Sequence, residues 1–138
     1  MTIHAFTDGA SRGNPGEAGV GVVLKDEKGK KIASIFGFVG SVTNNAAEYR
    51  ALIACLKLAA KTKCDRLVVH SDSELMVRQV KGDYKVKDVE IRKHFREVFA
   101  LLEKASYEFE IVHIAREDNS DADRLANLGI ESRRPLKV

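Results

Sequence analysis

The sequence predicts a single domain of mixed α/β class, on three observations. The first 40 residues hold strand-like runs punctuated by Gly-rich turns, and residues 45–61 form an Ala- and Leu-rich stretch free of Gly and Pro. Later β-rich runs at 66–71 and 109–115 are separated by helical sequence. Strands joined through helices need crossovers, so the later strands are expected to run parallel to the first, with helices on both sheet faces. A length of 138 residues fits one core. The expected division is a domain over 1–130 and a basic C-terminal tail over 131–138.

In order along the chain, Ile3 to Thr7, Gly19 to Lys25 and Lys31 to Val39 read as an antiparallel meander, with Asp26 to Gly29 as a polar turn. Asn45 to Lys61 reads as the longest helix. Arg66 to Ser71 is a short strand, followed by helix-like Glu74 to Val80 and a break at Gly82-Asp83-Tyr84. Val89 to Lys104 repeats Ile91, Phe95, Val98, Phe99 and Leu102 at helical spacing. Phe109 to Ala115 is apolar on both faces, as a buried strand would be, and Ser120 to Leu128 is a last short helix. Arg133 to Lys137 is expected to fray.

Composition narrows the class. With 44% hydrophobic and 31% charged residues, 10 Gly and 2 Pro, the chain is neither disordered, collagen-like nor a disulfide scaffold. Cys55 and Cys64 read as reduced packing residues. No apolar run approaches the roughly 20 residues of a membrane span, and Met1 to Ala10 lacks a basic-then-apolar leader pattern. A cytoplasmic monomer without membrane contact is expected. The net charge of +3 is mild, so the placement of charge matters more than its sum.

Four acids sit at element ends. Asp8 and Asp72 each follow an apolar strand, while Glu48 and Asp123 fall in the first turns of the long and the last helix. Ligands of open α/β sheets gather beyond the carboxyl ends of parallel strands, where Asp8 and Asp72 would emerge side by side. Two unit charges about 4 Å apart repel by roughly 4 kcal/mol at an effective dielectric near 20, so such a cluster needs a cation or a shared proton. No Lys or Arg directly flanks Asp8 or Asp72, and no Cys/His spacing suggests zinc. An oxygen-only site favours Mg²⁺ or Mn²⁺, and paired ions of that kind support phosphodiester hydrolysis.

The motifs that carry these acids are Thr7-Asp8-Gly9, Gly13-Asn14-Pro15-Gly16, Thr43 to Glu48, Ser71-Asp72-Ser73, and Arg116 to Asn127 with Ala122-Asp123-Arg124-Leu125-Ala126 inside it. Together, from about residue 3 to 129, they resemble type 1 ribonuclease H. The resemblance implies a ribonuclease H-like fold with a five-stranded mixed sheet in the order 3-2-1-4-5. It also implies endonucleolytic hydrolysis of the RNA strand of RNA–DNA hybrids with two Mg²⁺ ions, Mn²⁺ being a substitute, leaving 5′-phosphate and 3′-hydroxyl ends. Double-stranded RNA is a second candidate substrate. The implied metal tetrad is Asp8, Glu48, Asp72 and Asp123, with Asp8 shared by both ions. Asp118 and Asp121 compete for the fourth place, which the Ala-Asp-x-Leu-Ala pattern gives to Asp123. Asp121 then reads as a first-turn acid behind a Ser120 cap. Taken singly, each acid also suits a turn or a helix start.

Asn14, Asn44 and Asn45 match family positions that contact nucleic acid, and Thr43 matches one that holds a DNA phosphate. Turn and cap chemistry explains the same residues locally. The stretch from Gln79 to Glu90 is too short for the basic protrusion of some members; Lys81, Lys85, Lys87, Arg92, Lys93 and Arg96 stand in its place or simply form a solvated face. His113 falls ten residues before Asp123, where some members carry a loop histidine, yet within an apolar strand. It is expected to be packed, with Arg116 or Glu117 nearer the loop. His4 and His70 share strand parity with Asp8 and Asp72 and read as satisfied core residues, and His94 as surface.

Rival readings are a non-catalytic module of the same fold that binds hybrid or double-stranded RNA, and a resolvase- or integrase-type nuclease. The first expects a lost tetrad acid, and the second lacks the Gly-Asn-Pro-Gly and Thr-Asn-Asn motifs together. Without the four proposed ligands, 23 basic residues face 16 acids, which leaves +7 on the rest of the chain. The mild total hides an acidic pit in a basic surface.

Overall fold

The computed structural model describes residues 1–138. Its strands are β1 (Thr2–Gly13), β2 (Gly16–Lys25), β3 (Lys31–Val42), β4 (Arg66–Ser71) and β5 (Glu108–His113). Its helices are α1 (Asn44–Ala60), α2 (Glu74–Lys81), α3 (Val89–Glu103) and α4 (Ser120–Ser132), with a 3₁₀ turn at Arg116–Asp118. The five strands form one sheet in the order β3-β2-β1-β4-β5, in which β1 pairs antiparallel with β2 and parallel with β4. No helix is long and apolar enough to cross a membrane.

The strand period of two sorts β1 onto two faces. Ile3 and Ala5, with Val22, Leu24, Leu67, Val69 and Ile111, bury against Tyr49, Leu52 and Leu56 of α1 and against α2 and α3. On the opposite face α4 lies directly on β2. A Cβ on Gly21 would sit 2.4 Å from the Ala122 carbonyl oxygen, so only glycine permits that approach. The helices start where side chains can accept from orphan N–H groups: Thr43 caps α1, Ser73 caps α2 and Asp88 caps α3.

Several expectations change. β1 and β3 run past their apolar cores, because Ala10 to Gly13 and Gly40 to Val42 continue the ladders with β2. Glu48 lies in the second turn of α1, since the helix begins at Asn44. Asn119, not Ser120, occupies the cap position of α4 and makes no side-chain cap bond there. β5 is a sheet edge with only Ile111 buried, so its apolar look reflects one packed face and not two. His113 accordingly stands exposed at its end instead of packed. The tail does not fray. Phe38 N–H donates to the Arg134 carbonyl (2.6 Å), Leu136 N–H donates to the Phe38 carbonyl (3.2 Å), and Arg133 stacks over the Phe38 ring. The unpaired edge of β3 is thereby covered.

Candidate active site

The last parallel pair of β1 and β4 is Thr7 with Ser71, so Asp8 and Asp72 leave the sheet next to each other. Glu48 enters from α1, and one carboxylate oxygen from each of Asp8, Glu48 and Asp72 lies within 4.8 Å of the others. The approach of α1 depends on Gly9. A Cβ there would stand 2.2 Å from the Ala47 carbonyl carbon, and the Gly9 N–H donates to Glu48 Oε1 at 3.0 Å. Asp8 and Glu48 are buried, and Asp72 is half-buried. Asp123, in the first turn of α4, lines the same cleft without joining that tight group, and its Oδ1 lies 3.9 Å from Arg116.

The acids raise one another's proton affinity. Burial, then the Asp72 charge and the Asp123 carboxylate, push Asp8 up to about 8, with Arg116 opposing. Burial and the charges of Asp8 and Asp72 likewise hold Glu48 well above the usual carboxylate range, against the pull of the Gly9 N–H. Arg116 is thus the cation that sequence adjacency to Asp8 and Asp72 did not reveal. An oxygen-only donor set from three elements, short of positive charge, fits a hard divalent cation. The residues that would hold it are Asp8, Glu48 and Asp72, with Asp123 at the side.

The surrounding cleft encloses about 670 Å³ and is open and mostly polar. Asn14, Asn44 and Asn45 line it, as does Arg12, which pairs with Glu131 at 3.2 Å. Asn14 Oδ1 accepts from the Asn44 N–H at 3.1 Å, and Asn44 Oδ1 accepts from the Ser11 N–H at 3.0 Å. The two amides stitch the β1–β2 tip to the start of α1. Thr43 does not line the cleft; its Oγ1 accepts from the Ala46 N–H at 3.2 Å.

Sequence reasoning passed over Leu75 and Asn127, which also line the cleft, and Asn119, which is buried beneath it. Asn127 and Asn119 belong to the Arg116–Asn127 motif, so the signal was present but attached to no role. Of the histidines, His4 and His70 are half-buried and bond each other, Nδ1 to Nε2 at 3.1 Å, and His70 stacks on Phe6. His94 is also half-buried; burial and Arg50 push its pKa down.

Residues 6–129 match a family model described as reverse transcriptase-like. Ribonuclease HI of Halobacterium salinarum is 40% identical over 129 residues, covering 94% of this chain and 64% of that protein. Ribonuclease H of Methylococcus capsulatus is 31% identical over 142 residues, covering 94% of this chain and 90% of the other. Among solved structures, LC11-RNase H1 in complex with an RNA/DNA hybrid superposes with a TM-score of 0.89 at 40% identity, covering 94% of this chain and 97% of that one.

Proposed function

Because this chain belongs to the ribonuclease H family, we propose that it is an endonuclease hydrolysing the RNA strand of RNA–DNA hybrids, leaving 5′-phosphate and 3′-hydroxyl ends. The observation that carries the reading is the meeting of Asp8, Glu48 and Asp72 within 4.8 Å in an open polar cleft. The complex of LC11-RNase H1 with such a hybrid supports the substrate class.

Asp8, Glu48, Asp72 and Asp123 hold two Mg²⁺ ions in this reading, with Mn²⁺ able to replace them. When bound, the ions supply an acidified water and stabilise the leaving oxygen. The chain's own groups do the rest. Asp8 would help to hold both ions through its carboxylate. Glu48, fixed through Oε1 by the Gly9 N–H, and Asp72 orient the attacking water, and Glu48 also accepts from the RNA 2′-hydroxyl. Asp123 would help to hold the second ion. The side-chain carbonyls of Asn14 and Asn44 are committed to backbone N–H groups, which leaves their NH₂ groups as donors to ribose and phosphate oxygens. Asn45 joins them on the same wall, and Thr43 keeps its hydroxyl proton for a DNA-strand phosphate.

The test is a panel of labelled duplexes incubated with Mg²⁺ or with chelator. Cleavage of the hybrid's RNA strand, dependent on Mg²⁺, is expected. Equal cleavage of a DNA duplex overturns the assignment, and binding without cleavage favours a non-catalytic module.

A further inference from the structure

Asn119 is a deeply buried polar residue near the cleft that the proposed chemistry leaves unused. It is 1% exposed and joins the three chain segments that carry Asp8, Asp72 and Asp123. Its Nδ2 donates to the Thr7 carbonyl at 2.9 Å, one residue before Asp8. The same Nδ2 lies 3.4 Å from Asp72 Oδ2. Its backbone carbonyl accepts from the Asp123 N–H at 3.0 Å.

The orientation of this amide is fixed by chemistry. A peptide carbonyl and a carboxylate only accept, so the NH₂ end must face Thr7 and Asp72. The consequence is that Oδ1 lies buried with no partner, an arrangement that costs stability. Burial also removes rotational freedom, so the donor holds its direction while the carboxylate is empty.

We infer that Asn119 is a positioning residue for the cation site: its Nδ2–H group holds one oxygen of Asp72, turns the other toward the cation, and ties the ends of β1 and β4 to the start of α4. The inference rests on the cation-binding reading of the acid cluster. Groups of this kind around metal ligands are worth on the order of 10–100-fold in metal affinity or activity. Asn119 needs no contact with the substrate for this role.

The experiment is isothermal titration of Mn²⁺ into the full chain and its Asn119→Ala, Asp72→Asn and doubly substituted forms, each checked for folding by circular dichroism. Asn119→Ala is expected to weaken Mn²⁺ by about 10–100-fold while KM for hybrid stays unchanged at saturating Mg²⁺. In the Asp72→Asn background the same change is expected to add nothing, because Asn119 acts through Asp72. Should Asn119→Ala not fold, the wild-type Asn119 side-chain NH₂ signal, followed by NMR during Mg²⁺ titration, reads the same contact; it is expected to shift on saturation. An affinity within twofold of wild type in Asn119→Ala, full additivity with Asp72→Asn, or an NH₂ signal that ignores Mg²⁺ overturns the inference alone. Failure of the wild-type chain to bind Mn²⁺ overturns the cation reading as well.

Discussion

Asp8 is the residue on which the site's electrostatics turn. Its folded pKa of about 8 against an ordinary 3.8 means that, between those values, the native protein keeps a proton the unfolded chain has released. Stability without cations therefore falls as pH rises through that window. Melting in EDTA is expected at a higher temperature at pH 5 than at pH 8, and Mg²⁺ should restore the loss at pH 8 by binding only the folded state. Asp8→Asn removes the repulsion with Asp72 and the buried charge, so it is expected to raise the pH 8 melting point by several degrees and flatten the pH dependence. A wild-type melting point indifferent to pH over this range would contradict the assigned shift.

At the scale of elements, the approach of α1 to β1 sets the distance between Glu48 and Asp8. Gly9→Ala places a methyl 2.2 Å from the Ala47 carbonyl carbon, so α1 must move. Overpacking of this kind costs about 1–3 kcal/mol, and the displaced Glu48 should lower cleavage further than the lost stability accounts for. Melting curves and rates at saturating Mg²⁺ check both parts. The same elements explain what the sequence could and could not convey. Arg66–Ser71 matches β4 residue for residue because a short apolar run bounded by polar residues has only one extended reading. The side-by-side exit of Asp8 and Asp72 followed from parallel pairing alone. Glu48 was placed in the first turn, one residue short of its place in the second, because an Ala-rich helix carries no internal mark of its first residue; the Thr43 cap supplies it. β5 misled for a different reason: periodicity reports apolar character and says nothing about whether a second neighbour exists to bury it.

Across the whole molecule, one feature emerges that no local pattern contained, and a second was already outlined by the sequence. The tail seals the β3 edge through Phe38, with Leu136 half-buried against the sheet. Deleting residues 134–138 is expected to cost about 1 kcal/mol, a few degrees in Tm, without changing the cleavage rate per folded molecule. An unchanged melting curve would mean the contact contributes nothing in solution. Charge is the second feature. Lys81, Lys85, Lys87, Arg92, Lys93 and Arg96 all stand exposed on α2, the turn after it and α3. If they serve the polyanion, replacing Lys85 and Lys87 by Gln should weaken hybrid binding at low salt and flatten the plot of log affinity against log salt by about one to two units. Equal slopes would assign them to a solvated face.

The pit of acids within that basic surface is the centre of the account, and one substitution separates its chemistry from its binding. Asp8→Asn keeps the size of the side chain while removing the ligand proposed to serve both cations. Hydrolysis of labelled RNA–DNA hybrid in Mg²⁺, measured beside hybrid affinity, is expected to fall by about 10⁴-fold or more with affinity retained. Substantial Mg²⁺-dependent turnover by that variant would contradict the proposed site.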